Sequence, residues 1–119
     1  MDERRKHVRV RREQPCAIVI EGTYYPAYLV DISLRGALLT LPTALPIPMG
    51  ATLTLEIPLD ENMPETIVMT GDVAGLRNGR LALLCRTIDV DSMTHLRRLL
   101  ELNTGDPALI ERELSALGE

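Results

Sequence analysis

The sequence contains no phenylalanine and no tryptophan, and only three tyrosines among its 119 residues. Its core must therefore be built from Leu, Ile, Val, Met and Ala. Few aromatic faces remain on which single-stranded bases could stack. Cys16 and Cys85 stand in apolar, strand-like runs without metal or redox spacing, and His7 and His95 stand alone. Neither a Cys/His metal cluster nor a nucleophile–base pair can be drawn from them, which argues against an enzyme and leaves the thiols as reduced core residues. Asp60, Glu61 and Glu65 gather in a proline-bounded loop, where solvated acids are expected and a metal site is not. No apolar run approaches the roughly 18 residues that span a bilayer. The charged first residues lack the apolar stretch of a signal peptide, so the chain reads as cytoplasmic.

What is present suits one folded domain: 45% of residues are hydrophobic and 25% charged, enough apolar content for a core and too much for disorder. The charge is unevenly placed. Residues 1–13 hold six of the thirteen Lys and Arg against three acids, a surplus of +3, whereas residues 14–119 hold seven against fourteen, a balance of −7. A cationic arm thus precedes an acidic body. The arm asks for an anionic partner, while the sign of the body argues against broad nucleic-acid binding.

Strand signals fill residues 15–88. Runs over 16–20, 24–32, 37–41, 52–57, 66–76 and 80–88 read as short strands bounded by turn residues, the first β-branched and the second rich in Tyr and Val. Leu53, Leu55 and Ile57 alternate with Thr52, Thr54 and Glu56, the pattern of a half-buried strand. Gly22-Thr23 and Asn78-Gly79 supply tight turns, the second being the strongest hairpin signal in the chain. Pro42, Pro46 and Pro48 make an extended loop, and residues 58–64 a polar one. Six strands without room for crossover helices predict an all-β fold, an antiparallel barrel whose closure removes exposed edges.

One or two helices close the chain. Asp91-Ser92 can cap the first, which carries Met93, Leu96, Leu99 and Leu100 on one side, and Gly105 marks its stop. Asp106-Pro107 starts a second with an apolar stripe of Leu109, Ile110, Leu114 and Leu117. The expected layout is a single domain: a flexible basic arm over 1–13, the barrel over 14–89 and the helices over 91–119.

The arm reads Arg4-Arg5-Lys6-His7-Val8-Arg9-Val10-Arg11-Arg12. An isolated run of this kind is commonly a solvated tail, but the hairpin places this one beside possible partners. If Gly22-Thr23 is a two-residue turn, Asp31 lies opposite Gln14 and Ser33 opposite Arg12. Arg9 then sits a few residues from Asp31 and Ser33, which share a face. Gly36 follows at a turn, where a missing Cβ permits positive φ and close approach of a ligand. Arginine forks suit phosphate oxygens and the O6/N7 edge of guanine, and a carboxylate suits the N1–H and N2–H₂ edge. These residue types together favour a guanine nucleotide and go no further.

Arg5-x-x-x-Arg9, followed about twenty residues later by Asp31-x-Ser33-x-x-Gly36, resembles the paired RxxxR and [D/N]xSxxG signature of PilZ domains. The closing segment, with His95-Leu-Arg-Arg-Leu-Leu-Glu-Leu102, is similar to the helical tail of small single-domain members. The resemblance implies a PilZ barrel that binds cyclic di-GMP and needs no other cofactor. It implies that Arg5 and Arg9 contact guanine and phosphate, with Asp31, Ser33 and Gly36 around a guanine. Arg4, just before the first motif arginine, leans the stoichiometry towards two stacked ligand molecules. The chain departs from the family in having Arg80-Leu-Ala-Leu-Leu84 where many members carry a Gly-x-x-Phe-like element. With no output domain of its own, such a receptor acts on a partner protein in flagellar, chemotaxis or polysaccharide (biofilm) machinery. A constitutive interaction module of the same fold, without ligand, is the alternative. An arm that binds nucleic acid or anionic lipid is a third reading, which predicts steep salt dependence and little guanine selectivity.

Overall fold

The structure of the protein, a computed structural model, describes residues 8–42, 44–60 and 63–117. Six antiparallel strands and two helices follow one another: β1 (Val10–Ile20), β2 (Thr23–Ser33), β3 (Gly36–Thr40), β4 (Thr52–Asp60), β5 (Met63–Arg77), β6 (Arg80–Ile88), α1 (Val90–Thr104) and α2 (Pro107–Leu117). The strands close into a barrel in the order β1-β2-β3-β6-β5-β4, with β4 returning to pair with β1. Closure pairs every strand with two neighbours, although β1 and β4 meet only over residues 17–19 and 54–56. Ile18, Leu29, Ile32, Leu39, Leu55, Ile57, Ile67, Met69 and Leu81 fill the interior and are fully buried, so an aliphatic core suffices without a single large ring.

Both tight turns exist, but the first lies one residue earlier than the sequence suggests. Ile20 pairs with Thr23, so Glu21 and Gly22 are the turn residues, with φ of 50° and 82°. A type I′ hairpin needs positive φ at both centres, and the chain places Gly22 second, as it does Gly79 in the Asn78-Gly79 turn. A bulge between Arg11 and Gln14 then shifts the register again. Asp31 therefore faces Arg11 and not Gln14, and Ser33 lies beyond the paired stretch instead of opposite Arg12. Moreover β1 begins at Val10, so residues 10–13, expected in the flexible arm, belong to the barrel wall. Val10 is buried, and the alternation it starts is that of a strand.

The polar loop expected over 58–64 is shorter too. β4 continues to Asp60 and β5 restarts at Met63, with Pro58 paired to Thr66. Pro58 lies outside the stretch of β4 that pairs with β1, an edge-like position where a missing N–H is tolerated.

α1 lies along β5 and α2 packs on α1. Leu96 and Leu100 of α1 and Ile110 of α2 are fully buried, so the second helix docks on its own domain. The cap of α1 is Asp89 and not the Asp91-Ser92 pair. Its carboxylate accepts from the Ser92 N–H at 3.0 Å, while the buried Ser92 hydroxyl accepts from the Val68 N–H of β5 at 2.8 Å. Ser92 thus stitches helix to barrel. Gly105 ends α1 in the left-handed region, and Asp106 caps α2, accepting from the Leu109 N–H at 3.1 Å. Both thiols are free. Burial pushes the Cys16 thiol up to about 12 and raises that of Cys85, which makes both poor nucleophiles at neutral pH.

Candidate functional site

The β2–β3 connection is built tightly. Ser33 pairs with Gly36, leaving Leu34 and Arg35 as the turn. Leu34 is buried, and the turn is tied to the neighbouring strand by the Cys85 N–H, which donates to the Arg35 carbonyl at 2.7 Å. The Ser33 hydroxyl is nearly buried. It accepts from the Arg35 N–H at 3.1 Å and directs its own proton at the Gly36 carbonyl, 3.5 Å away. This serine is spent on the shape of the turn.

Gly36 is also needed by the fold, for a reason the sequence did not give. Its φ is not positive. Instead β3 runs so close to β6 that a Cβ would lie 1.9 Å from the Leu83 carbonyl oxygen. The glycine permits an approach of strand to strand.

Asp31 follows a bulge in the β2–β3 pairing between Leu29 and Asp31, the kind of irregularity that re-aims a side chain. It is half-buried, and its carboxylate has no partner among the described residues. The arm's described cations divide in two. Arg11 pairs with Glu13, and Arg12 donates to the Gln14 side chain at 2.6 Å and to the Leu59 carbonyl. Arg9 is exposed and has no partner among the described residues.

Arg9, Asp31, Ser33 and Gly36 line one pocket of about 160 Å³. Arg4 and Arg5 lie outside the described residues. The pocket adds Arg35, a turn residue that the sequence reading passed over as one of the motif's unspecified positions; its exposed guanidinium gives the pocket a second cation. Ala74, Ala82, Leu38 and Leu84 complete an apolar floor, and Leu84 is 49% exposed on the outer face of β6. An exposed leucine facing outward from a barrel strand is the signal that could have found this floor, had the register been known. Drug-sized ligands usually occupy roughly 300–1,000 Å³. A pocket of half the lower figure holds a group the size of one base and leaves the rest of a nucleotide outside the wall. No metal-binding group of His, Cys, Asp or Glu occurs among the described residues.

Fold and site together define a class: a small antiparallel barrel with a cation-rimmed pocket on its outer wall, beside the root of a basic N-terminal arm. A profile of the PilZ domain matches residues 3–102, and the chain belongs to that family, one associated with cyclic di-GMP binding. Among solved structures, it is similar to the Bacillus subtilis inhibitor of motility MotI/DgrA, with 21% identity and a TM-score of 0.70 over 96% of this chain and 53% of that one. The chain thus spans about half the length of that protein. It is also similar to the PilZ domain of YcgR from Escherichia coli, solved with c-di-GMP, at 17% identity and a TM-score of 0.68 over 98% of both chains. At these identities the likeness is one of fold.

Proposed function

We propose that the chain is a cyclic di-GMP receptor that signals to a partner protein, its arm ordering over the barrel when ligand binds. The observation that carries this reading is the placement of Arg9 and Asp31 in one pocket lining. Both are unpartnered among the described residues, they are opposite in charge, and they line one base-sized pocket. Asp31 would accept from the N1–H and N2–H₂ edge of a guanine on the floor of Ala74, Ala82 and Leu84. Arg9, with Arg5 of the arm and Arg35 of the turn, would take O6/N7 and phosphate oxygens, for which a planar fork of donors is suited.

The floor carries no aromatic ring. A guanine lying on it must find its stacking partner in an arginine plane or in another guanine. This favours two intercalated ligand molecules, with Arg4 as a stacking cation. Binding neutralises the arm, whose like charges otherwise repel, and the ordered arm and ligand make a new surface for an effector. Similarity to the Bacillus inhibitor of motility supports an effector in motility machinery.

Titration calorimetry with cyclic di-GMP tests the reading. Saturable heat at tens of micromolar or below is expected, with a stoichiometry near two ligands per chain, and Arg5→Ala with Arg9→Ala abolishes it. Absence of heat, or full binding by that double variant, overturns it. Partner capture that ignores added cyclic di-GMP would favour a constitutive module instead.

A further inference from the structure

The arm is tied to the other end of the chain one residue before Arg9. The Val8 N–H donates to both carboxylate oxygens of Glu113 on α2, at 3.1 and 3.0 Å, across 105 positions of sequence. Glu113 is 7% exposed, although its neighbours Glu111, Arg112, Ser115 and Ala116 all face solvent. A carboxylate held out of water is costly unless it finds donors. The packing of α2 does not require it, since Ile110 and Leu114 supply the apolar contact. The placement makes sense as a grip on the arm.

We propose that Glu113 is a positioning residue for cyclic di-GMP, acting through the arm. Val8 is held by α2, and Val10 is held in β1 by its pairing with Ile32. Arg9 stands between these two fixed points, so its backbone is restrained at the pocket mouth before any ligand arrives. Ordering that part of the arm in advance removes part of the entropy that binding would otherwise lose. The coupling is reciprocal: ligand that engages Arg9 strengthens the hold of α2, and loosening α2 weakens ligand binding. The C-terminal helix thereby sets affinity without touching the ligand. This inference rests on the cyclic di-GMP reading above.

The test is calorimetry on the full chain and five variants, with amide exchange at Val8 measured without ligand. Glu113→Ala is expected to weaken cyclic di-GMP binding about three- to tenfold, the range of an ordinary hydrogen bond's net contribution, since only part of the grip on Val8 is passed on to the ligand, and to speed exchange at Val8. Glu113→Gln keeps a side-chain carbonyl and recovers most of the affinity. Glu113→Leu keeps the helix face packed while removing the acceptor, and must show the same loss as Glu113→Ala; it carries the test if the alanine variant releases α2. In an Arg9→Ala background, adding Glu113→Ala costs less than about twofold, because the residue acts through Arg9. Native affinity in Glu113→Leu, or an equal loss in both backgrounds, overturns the proposal. If the native chain gives no heat, the ligand reading itself has failed, whereas native binding that ignores Glu113 fails the positioning role alone.

Discussion

The β2–β3 turn and the root of the arm meet at one pocket, yet they are held in different ways. At the turn, nearly every group has an internal use: the Ser33 hydroxyl bonds within the turn, the Arg35 carbonyl accepts from Cys85, and Gly36 lets β3 approach Leu83. At the arm root, the Val8 amide is gripped by Glu113, while the Arg9 guanidinium has no partner among the described residues. One side of the pocket is finished in the absence of ligand and the other is open. The paired motif therefore mixes two kinds of residue. Ser33 and Gly36 serve the wall, whereas the side chains of Asp31 and Arg9 have no partner among the described residues.

Substitutions separate the two kinds. The largest effect is expected at Gly36. In Gly36→Ala the new Cβ meets a backbone carbonyl, which cannot swing away as a side chain can, so β3 must part from β6. A loss of about 3 kcal/mol or more in unfolding free energy is expected by denaturant titration, at the upper end for overpacking. A stable Gly36→Ala variant that had lost only ligand binding would overturn this assignment. Next come Arg9→Ala and Asp31→Ala, which leave the denaturation midpoint within about 0.5 kcal/mol of native because neither side chain bonds within the described protein. Cyclic di-GMP affinity should fall about 10- to 100-fold in each, matching roughly 1–3 kcal/mol for a guanine contact. Ser33→Ala lies between the classes. Its unfolding free energy drops by about 1 kcal/mol through the lost hydrogen bonds, and binding weakens as the turn loosens.

The architecture was legible from residue types because each signal was local. Alternation over residues 52–57, the Asn78-Gly79 turn and the Gly105 stop all act within a few residues of themselves. Asp31, Ser33, Gly36 and Arg9 could be placed together because a hairpin brings them close under either register. What could not be read was long-range or depended on a one-residue choice. Glu21 taking positive φ moved the first turn, and the bulge between Arg11 and Gln14 moved the register once more. No local pattern marks an extra residue in a strand whose side chains alternate on both sides of it. The reason for Gly36 lies in Leu83, and the partner of Val8 lies in α2, distances in sequence that no motif spans. Arg35 and Leu84 were missed for the same reason: only the closed barrel sets them at one pocket.

Asp89 offers a contrast outside both regions, and the smallest effect. Hydrogen bonds from the hydroxyl and the backbone N–H of Ser92 hold its carboxyl below the ordinary carboxylate value. A carboxyl whose value is depressed by folding stabilises the folded state when ionised. That contribution is complete above the unfolded value of about 4 and disappears as pH falls through the lower folded value. Asp89→Asn keeps a competent uncharged cap, so it removes the titration and little else. Thermal midpoints taken at steps below pH 5 should show the native chain falling towards the variant, with the gap between them widest at neutral pH. At pH 7 the two should bind cyclic di-GMP equally, since the start of α1 meets the barrel through Val68 and not through the pocket. An affinity difference there would mean that the α1 cap communicates with the site, and the division between a finished wall and an open arm would have to include the helix as well.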